Sequence, residues 1–282
     1  TVRKNFDDKG KLIDSQVILN KKFDSRGNAL EQVIENYDET GALLGKQEIE
    51  NSGFNSRGNA GKTVRKNFDE KGVLLDSQVI NNLKFDSRGN VLSQTVDNFD
   101  ADGKLIDKSE ITNSDFTGRG NPRKTVRVNY DEAGNLIDSQ SVSTAKFDSR
   151  GNALSQTIEN FDEKGALLDR QEVASSGFTS RGVAGKIERK NFDAAGIFVD
   201  SQVVDNTKVD SRGNVLEQMV STFDDTGKLI DASTIVNSGF NSRGNPAKTV
   251  RKTFDDTGKL VEHQVTDNGK FDSRGNILEQ TT

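Results

Sequence analysis

The chain has 282 residues, 31% of them hydrophobic and 29% charged, and its 39 basic and 44 acidic side chains give a net charge of −5. So small a hydrophobic share excludes a large dry core, and the interspersed charges leave no basic stripe for nucleic acid. With no Cys and one His, disulfides, thiolate metal sites and His-based catalysis lack their parts, so we expect no enzyme.

Two turn motifs alternate from the first residues onward. The first is (Phe or Tyr)-Asp-x-x-Gly, beginning at Phe6, and the second is Phe-Asp-Ser-Arg-Gly-Asn, beginning at Phe23. The spacing from Phe6 to Phe23 and then to Tyr37 repeats along the whole chain in strict alternation, with Val209 in place of the turn aromatic once. The unit is therefore 31 residues, and nine units (9 × 31 = 279) leave three residues over. We predict a single tandem-repeat array over residues 1–282, a window of a longer array.

The spacers between the turns predict β-strands. Residues 11–18 and 28–36 are short, rich in β-branched side chains and bounded by turn signals. In the Asp-x-x-Gly motif Asp caps the turn and Gly accepts a positive φ. The turn glycines recur too closely to allow long helices. The predicted fold class is all-β.

Positions 31 residues apart form columns, some of constant character and some alternating. The constant columns include those headed by Leu12, Ile18, Asn5 and Gln16. One alternating column never repeats a charge sign in succession: Glu31, Lys62, Ser93, Lys124, Ser155, Lys186, Glu217, Lys248 and Glu279. Another alternates within the second turn: Asp24, Asn55, Asp86, Thr117, Asp148, Thr179, Asp210, Asn241 and Asp272. The larger period is therefore two units (2 × 31 = 62).

These columns favour a β-solenoid with 31 residues, two strands and two turns per rung. Residues 31 apart would then be neighbours at about 4.8 Å, where like charges repel and amide columns form ladders. Leu12, Gln16, Ile18 and Asn20 would share one strand face by parity.

The alternative is a continuous antiparallel hairpin meander or strip. With tight turns it would place Glu48 opposite Arg65 and Arg65 opposite Asp76, both favourable pairs. An odd period of 31 would move each column to the other face in every unit, which argues against a coherent core. Both folds stay open at this point.

Two families share features with the repeat. The turn-strand Gly27-Asn28-x-Leu30-x-Gln32 resembles curlin-type functional amyloid repeats, and Tyr37-Asp38-x-x-Gly41-x-Leu43 is similar to the YD repeats of Rhs-type shells, which are hairpin strips. Both resemblances imply an extracellular or surface-associated protein. The unit here is longer and more charged than the curlin repeat.

The acidic turns raise calcium as a ligand, because Asn98 to Leu105 looks like an oxygen-ligand loop. The position of Asp102 is filled by Lys9, Lys71 or Ala133 in other units, so we expect no cofactor. His263 is expected to be surface variation. No apolar run of about 18 residues exists, so we expect no membrane insertion.

We therefore expect a structural, self-assembling repeat segment of an extracellular fibre, biofilm matrix or surface adhesin, whose partner is another copy stacked end to end. An alternative is a shell or spacer segment of a large YD-repeat polypeptide. Another is a module that binds a polysaccharide or anionic surface through the Arg row of the second turn. That row consists of Arg26, Arg57, Arg88, Arg119, Arg150, Arg181, Arg212, Arg243 and Arg274.

Overall fold

The computed structural model describes residues 1–6, 10–241, 243–271 and 277–282, and within these ranges it contains strands and turns but no helix. The all-β prediction is confirmed. The strands are β1 Val2–Phe6, β2 Leu12–Phe23, β3 Ala29–Asp38, β4 Leu43–Ser52, β5 Lys62–Phe68, β6 Leu74–Phe85, β7 Val91–Asp100, β8 Leu105–Ser114, β9 Lys124–Asp131, β10 Leu136–Phe147, β11 Ala153–Phe161, β12 Leu167–Ser176, β13 Lys186–Asp193, β14 Phe198–Val209, β15 Val215–Asp224, β16 Leu229–Ser238, β17 Lys248–Asp255, β18 Leu260–Phe271 and β19 Ile277–Thr281.

The chain divides into two compact units. Unit 1 comprises Thr1–Phe116, Val126–Asp138 and Phe271–Asn276, and unit 2 comprises Thr117–Thr125, Ser139–Lys270 and Ile277–Thr282. In unit 1, β1 to β8 pair antiparallel in chain order. In unit 2, β10 to β18 do the same.

Consecutive antiparallel pairing is the meander, and the solenoid is not confirmed. Gln16 pairs with Asn36, and Asn36 pairs with Gly45, so Gln47 lies two strands from Gln16 and not on an adjacent rung. Residues 31 apart are therefore separated by about 9.6 Å across the sheet, which weakens the repulsion between successive Arg residues of the second turn motif and between successive Asp residues of the first.

A β-bulge removes the objection that columns would change faces. At the turn between β3 and β4, Asn36 pairs with Gly45 but Tyr37 pairs with Leu43, so Leu44 has no partner. All eight described hairpins of the Asp-x-x-Gly type skip one residue in this way. One extra residue makes an odd period compatible with a constant face. Gln16 and Gln47 consequently lie on the same face.

Three predictions about register are wrong, two of them because of the bulges. Leu12 pairs with Phe6 while Gln16 pairs with Arg3, which puts Leu12 and Gln16 on opposite faces. Glu48 lies opposite Lys66 instead of Arg65. Arg65 lies opposite Gln78 instead of Asp76, because the hairpin between β5 and β6 contains a bulge that a tight turn would not have.

Few side chains are buried, as the composition predicts. Among the described residues the buried hydrophobic ones are Val33, Val96, Ala184, Val204 and Phe240. Stability must therefore come from the backbone ladder, from the half-buried rows of both faces and from contacts between turns. In the part of the chain that the structure describes, no helix could cross a membrane.

Candidate functional site

We call the second motif the Arg turn, and in each unit the meander brings successive Arg turns to the same sheet edge. The carboxylate of Asp24 shapes the first one, because its Oδ1 accepts the backbone N–H groups of Arg26 and Asn28, each at 2.9 Å. Its Oδ2 accepts the Asn28 side-chain amide at 2.8 Å. Gly27 follows with φ +85°, a conformation that glycine adopts without steric cost.

The Arg side chains point forward to the next Arg turn. Arg26 donates from Nη1 to the Asn55 carbonyl at 2.9 Å and from Nη2 to the Phe54 carbonyl at 3.2 Å. In unit 2, Arg150 grips Thr179 and Phe178 in the same bidentate way, at 2.8 and 2.9 Å. The Arg row thus has a structural reason, which is to join turns that lie two strands apart.

The alternation of Asp with Asn or Thr gives two kinds of contact between turns. Asn55 has one acceptor oxygen, and it is used by the backbone N–H groups of Arg57 and Asn59. The Asn59 amide is then free to donate to the Gly89 carbonyl at 3.0 Å, while Arg57 donates to the Ser87 carbonyl. The Asp24 turn therefore makes a bidentate Arg contact with the next Arg turn, whereas the Asn55 turn makes a paired Arg and Asn contact.

Charge strengthens the Asp form of the turn. The Nε of Arg26 lies 3.7 Å from Asp24 Oδ2, and Arg88, Arg150 and Arg212 repeat this contact with their own Asp at 3.6–3.7 Å. The Asn28 and Asn152 amides, together with the backbone donors, hold the pKa of Asp24 and Asp148 below the usual range. The Asp side chain therefore stays ionised and holds both the turn and its Arg.

The predicted Arg row is partly accounted for by these contacts. Arg88 reaches the Phe116 carbonyl at 3.4 Å and Arg181 reaches that of Ser211 at 2.7 Å. The side chains of Arg26, Arg88 and Arg150 remain 48–49% exposed. Arg274 lies outside the described residues. The sequence columns identify this row, but only the strand pairing of the meander shows that these side chains bind backbone carbonyls of the next Arg turn.

The Asp-x-x-Gly turns lie at the opposite edge of each unit. Asp38 Oδ1 accepts the N–H groups of Thr40 and Ala42 at 2.8 Å each, and the Thr40 hydroxyl further lowers the pKa of Asp38. The carboxylate of Asp38 is therefore already engaged in hydrogen bonds that cap its own turn. Among the described residues, no group of three or more His, Cys, Asp or Glu side chains could hold a metal ion.

Asn and Gln side chains connect the strands across one face. In unit 1 Gln47 donates to Asn67 Oδ1 at 2.8 Å, and Asn67 donates to Asp76. In unit 2 Gln140 donates to Asn160 and Asn160 to Asp169, at 2.9 and 2.7 Å. The Asn column was predicted as a ladder of stacked amides. Asn67 and Asn160 instead each bridge the two strands that flank them.

Cations cover some of the turn aromatics on the other face. Lys46 Nζ lies 4.5 Å from the centre of the Phe68 ring, and the Arg170 guanidinium lies 4.3 Å from that of Phe192. These cations occupy the column in which His263 stands. In each case the cation sits directly across the strand pair from the ring.

One shallow cavity of about 280 Å³ lies in unit 1, among Lys22, Glu31, Glu50 and Lys62. Glu31 lies directly opposite Glu50. Lys22 is 3.5 Å from Glu31, and Lys66 is 3.9 Å from Glu50. These side chains are largely exposed and paired with one another, so the cavity is a surface depression and not a preformed binding site.

Comparisons with known proteins do not assign a family. No family model and no curated protein matches the chain. Among solved structures, the Photorhabdus luminescens Tc holotoxin pore aligns with 99% of this chain and 18% of its own, at 13% identity and a TM-score of 0.22. The TcdB2-TccC3-Cdc42 structure aligns with 98% of this chain and 17% of its own, at 13% identity and a TM-score of 0.21. A eukaryotic initiation factor aligns with 93% of this chain and 77% of its own, at 9% identity and a TM-score of 0.27.

These TM-scores are too low to carry an argument about fold or function, and the curlin-type resemblance is not confirmed. The class of this protein rests on its own strands and turns. The chain is an all-β tandem-repeat protein, in which antiparallel hairpins are joined by contacts between Arg turns.

Proposed function

We propose that the chain is a structural repeat segment, a β-strip that serves as shell or spacer in a larger extracellular or cell-surface polypeptide. The observation that carries this proposal is the forward contact between Arg turns, exemplified by Arg26 with Phe54 and Asn55. Each such contact binds one part of the strip to the next, so the repeat stabilises itself along the chain without a large core.

The fibre alternative would have to use the end strands of the array. Templated growth needs strands with unpaired backbone edges. Strands β2 to β7 of unit 1 and β11 to β17 of unit 2 each have a partner on both sides. The hydrogen bonds of these strands are therefore satisfied within the chain.

A duplication experiment tests the structural role. Duplicating residues 74–135, which is one full two-unit period, should give a folded chain that unfolds in one transition with a larger denaturant m-value. Each added turn would meet the neighbour that its chemistry requires. The measurement is urea unfolding followed by circular dichroism.

Duplicating residues 74–104 is the matched control. That insertion adds a single repeat unit and places two Asp-type Arg turns in succession. We expect lower stability than for the two-unit insertion. Equal stability of the two insertions, or a separate transition for the two-unit insert, would contradict the proposal.

A further inference from the structure

The Arg turns give one edge of unit 2 a strong positive charge. We call this edge the basic edge, and it consists of residues 117–124, 146–155, 176–186, 208–217 and 238–248. These residues include 11 basic and 3 acidic side chains, which is a net charge of +8 (11 − 3 = 8). In the sequence these cations are separated by acidic segments, and the meander collects them in one row.

The Asp-x-x-Gly turns give the opposite edge of unit 2 a negative charge. We call it the acidic edge, and it consists of residues 161–170, 192–201, 223–232 and 254–263. These residues include 11 acidic and 4 basic side chains, which is a net charge of −7 (4 − 11 = −7). The two kinds of turn alternate along the chain, and antiparallel pairing sends each kind to its own edge. Charges that are interspersed in the sequence are therefore segregated in the fold, so the expectation of no basic stripe is wrong for unit 2.

Cations of the basic edge outnumber the carboxylates that could neutralise them. Each of the three carboxylates of this edge is already paired with a cation. Lys208 lies 3.3 Å from Glu217, which is the residue opposite it, whereas the equivalent Lys146 faces Ser155. Within the described ranges, Lys124 and Lys146 are exposed and make no salt bridge. Positive charge thus remains available at this edge for a partner.

Carboxylates of the acidic edge face one another across the strand pairs. Asp169 lies directly opposite Asp193, and Asp200 lies directly opposite Asp224. Like charges in such positions destabilise an antiparallel pair. Among the residues that the structure describes, these four carboxylates make no salt bridge, and no group of three or more acidic side chains could hold a metal ion. A row of separate cations would relieve their repulsion.

The two edges repeat at the same interval. Successive Arg turns of unit 2 are separated by two strands, and so are successive Asp-x-x-Gly turns, which places the members of either row about 9.6 Å apart. A row of cations and a row of carboxylates with a common interval can be aligned over their whole length. The chain therefore carries both halves of a complementary contact.

We propose that the basic edge of unit 2 binds the acidic edge of unit 2 in a second copy of this chain. The contact is heterologous, because the two copies contribute different edges, and a third copy can add to either edge that remains free. Charge complementarity is its main source of affinity and makes it sensitive to salt. This side-by-side contact goes beyond the structural role proposed above, and it differs from end-to-end stacking, which would join end strands.

Sedimentation velocity of the full chain tests the salt dependence. The wild type should form oligomers at about 0.05 M NaCl. At about 0.5 M NaCl, where the Debye length is only about 4 Å, it should associate at least about tenfold more weakly.

Charge reversal tests the two edges separately. The basic-edge variant carries Lys124→Glu and Lys146→Glu, and the acidic-edge variant carries Glu163→Lys and Asp225→Lys. All four side chains are exposed and make no salt bridge within the described part of the chain, so both variants should fold. Each variant alone should self-associate at least about tenfold more weakly than the wild type.

Mixing the two variants should restore association. The basic-edge variant keeps its acidic edge and the acidic-edge variant keeps its basic edge, so one wild-type contact can form between them. We expect a heterodimer with wild-type affinity, which does not grow further because its two outer edges are the altered ones.

Lys190→Glu combined with Lys252→Glu is the matched control. These substitutions change the net charge as much as the basic-edge variant does, but they lie in the interior of β13 and β17. The control should associate like the wild type, and circular dichroism checks that every variant is folded.

A wild type that stays monomeric at about 0.05 M NaCl would overturn the proposal. An equal loss of association in the control, or a mixture that associates no better than its components, would do the same. Retention of a monomeric wild type on a polyanion resin would instead assign the basic edge to an anionic polymer. The duplication experiment measures the stability of a single chain, so failure of one proposal is distinguishable from failure of the other.

Discussion

Asn59 lies against Gly89, the glycine of the next Arg turn, and donates its amide to the Gly89 carbonyl at 3.0 Å. Gly89 has φ +90°, and a Cβ at this position would lie 2.6 Å from Asn59 Nδ2 and 2.9 Å from Arg57 Cδ. The glycine is therefore required twice, once for the backbone conformation and once for the contact between turns.

Gly89→Ala separates these two requirements when it is compared with Gly103→Ala. Gly103 has φ +79° but nothing within 4 Å of the added Cβ. Gly103→Ala should cost about 1–2 kcal/mol for the left-handed conformation alone. Gly89→Ala should cost roughly 1–3 kcal/mol more because Asn59 and Arg57 must move. Urea unfolding measures both values, and equal losses would show that the turns do not pack as described.

Replacing Arg150 tests the forward contact. Arg150→Gln removes two hydrogen bonds to the carbonyls of Phe178 and Thr179, and should destabilise the chain by about 1–3 kcal/mol. Arg150→Lys keeps the charge but loses the planar fork, so it should restore less than half of the loss. Full rescue by Lys would mean that charge and not geometry matters at this turn. Binding of the same variants on a glycan array tests the polysaccharide hypothesis directly.

The Arg turns predict a pH dependence. The hydrogen bond from Asn152 lowers the pKa of Asp148, and Asn28 acts in the same way on Asp24. A carboxylate with a depressed folded-state pKa stabilises the fold above its unfolded pKa of about 3.9, and this contribution is lost as the pH falls through the folded value. We expect the melting temperature to decrease as the pH is lowered below about 4.

Asp148→Asn is the control for that dependence. Asn55 shows that an amide oxygen can cap the same turn, so the variant should fold, with a smaller decrease of melting temperature on acidification. An unchanged acid profile in this variant would show that Asp148 does not contribute.

Asp115 is strained at a position where other copies have glycine. It is the one non-glycine residue with positive φ (54°) among those the structure describes, and Gly53, Gly177 and Gly239 occupy the equivalent sites at φ 64–67°. Asp115→Gly should stabilise the chain by roughly 0.5–1 kcal/mol, since relief of strain exceeds the entropy cost of glycine. Gly177→Asp should have the opposite sign. Thermal unfolding of the two variants decides whether the backbone conformation is shared.

Much of the structure follows from periodicity alone. The spacing of turn aromatics and glycines predicts the all-β class and the alternation of strands with turns, because Gly at a turn and β-branched residues between turns act locally. The alternation of Asp24 with Asn55 also indicates that turns in successive repeats touch. Sequence parity did not predict the face of Leu12 or the partner of Arg65, because a bulge at Ile13 or Leu75 changes the register without changing the period.

The sequence by itself determined the repeat, its two turns and the column of Arg residues, since each depends on residues close together in the chain. The tertiary structure alone decided between solenoid and meander. Both folds satisfy the same local propensities, and they differ only in which strands pair. That pairing places Arg26 within reach of the Phe54 and Asn55 carbonyls and gives the Arg row its structural role.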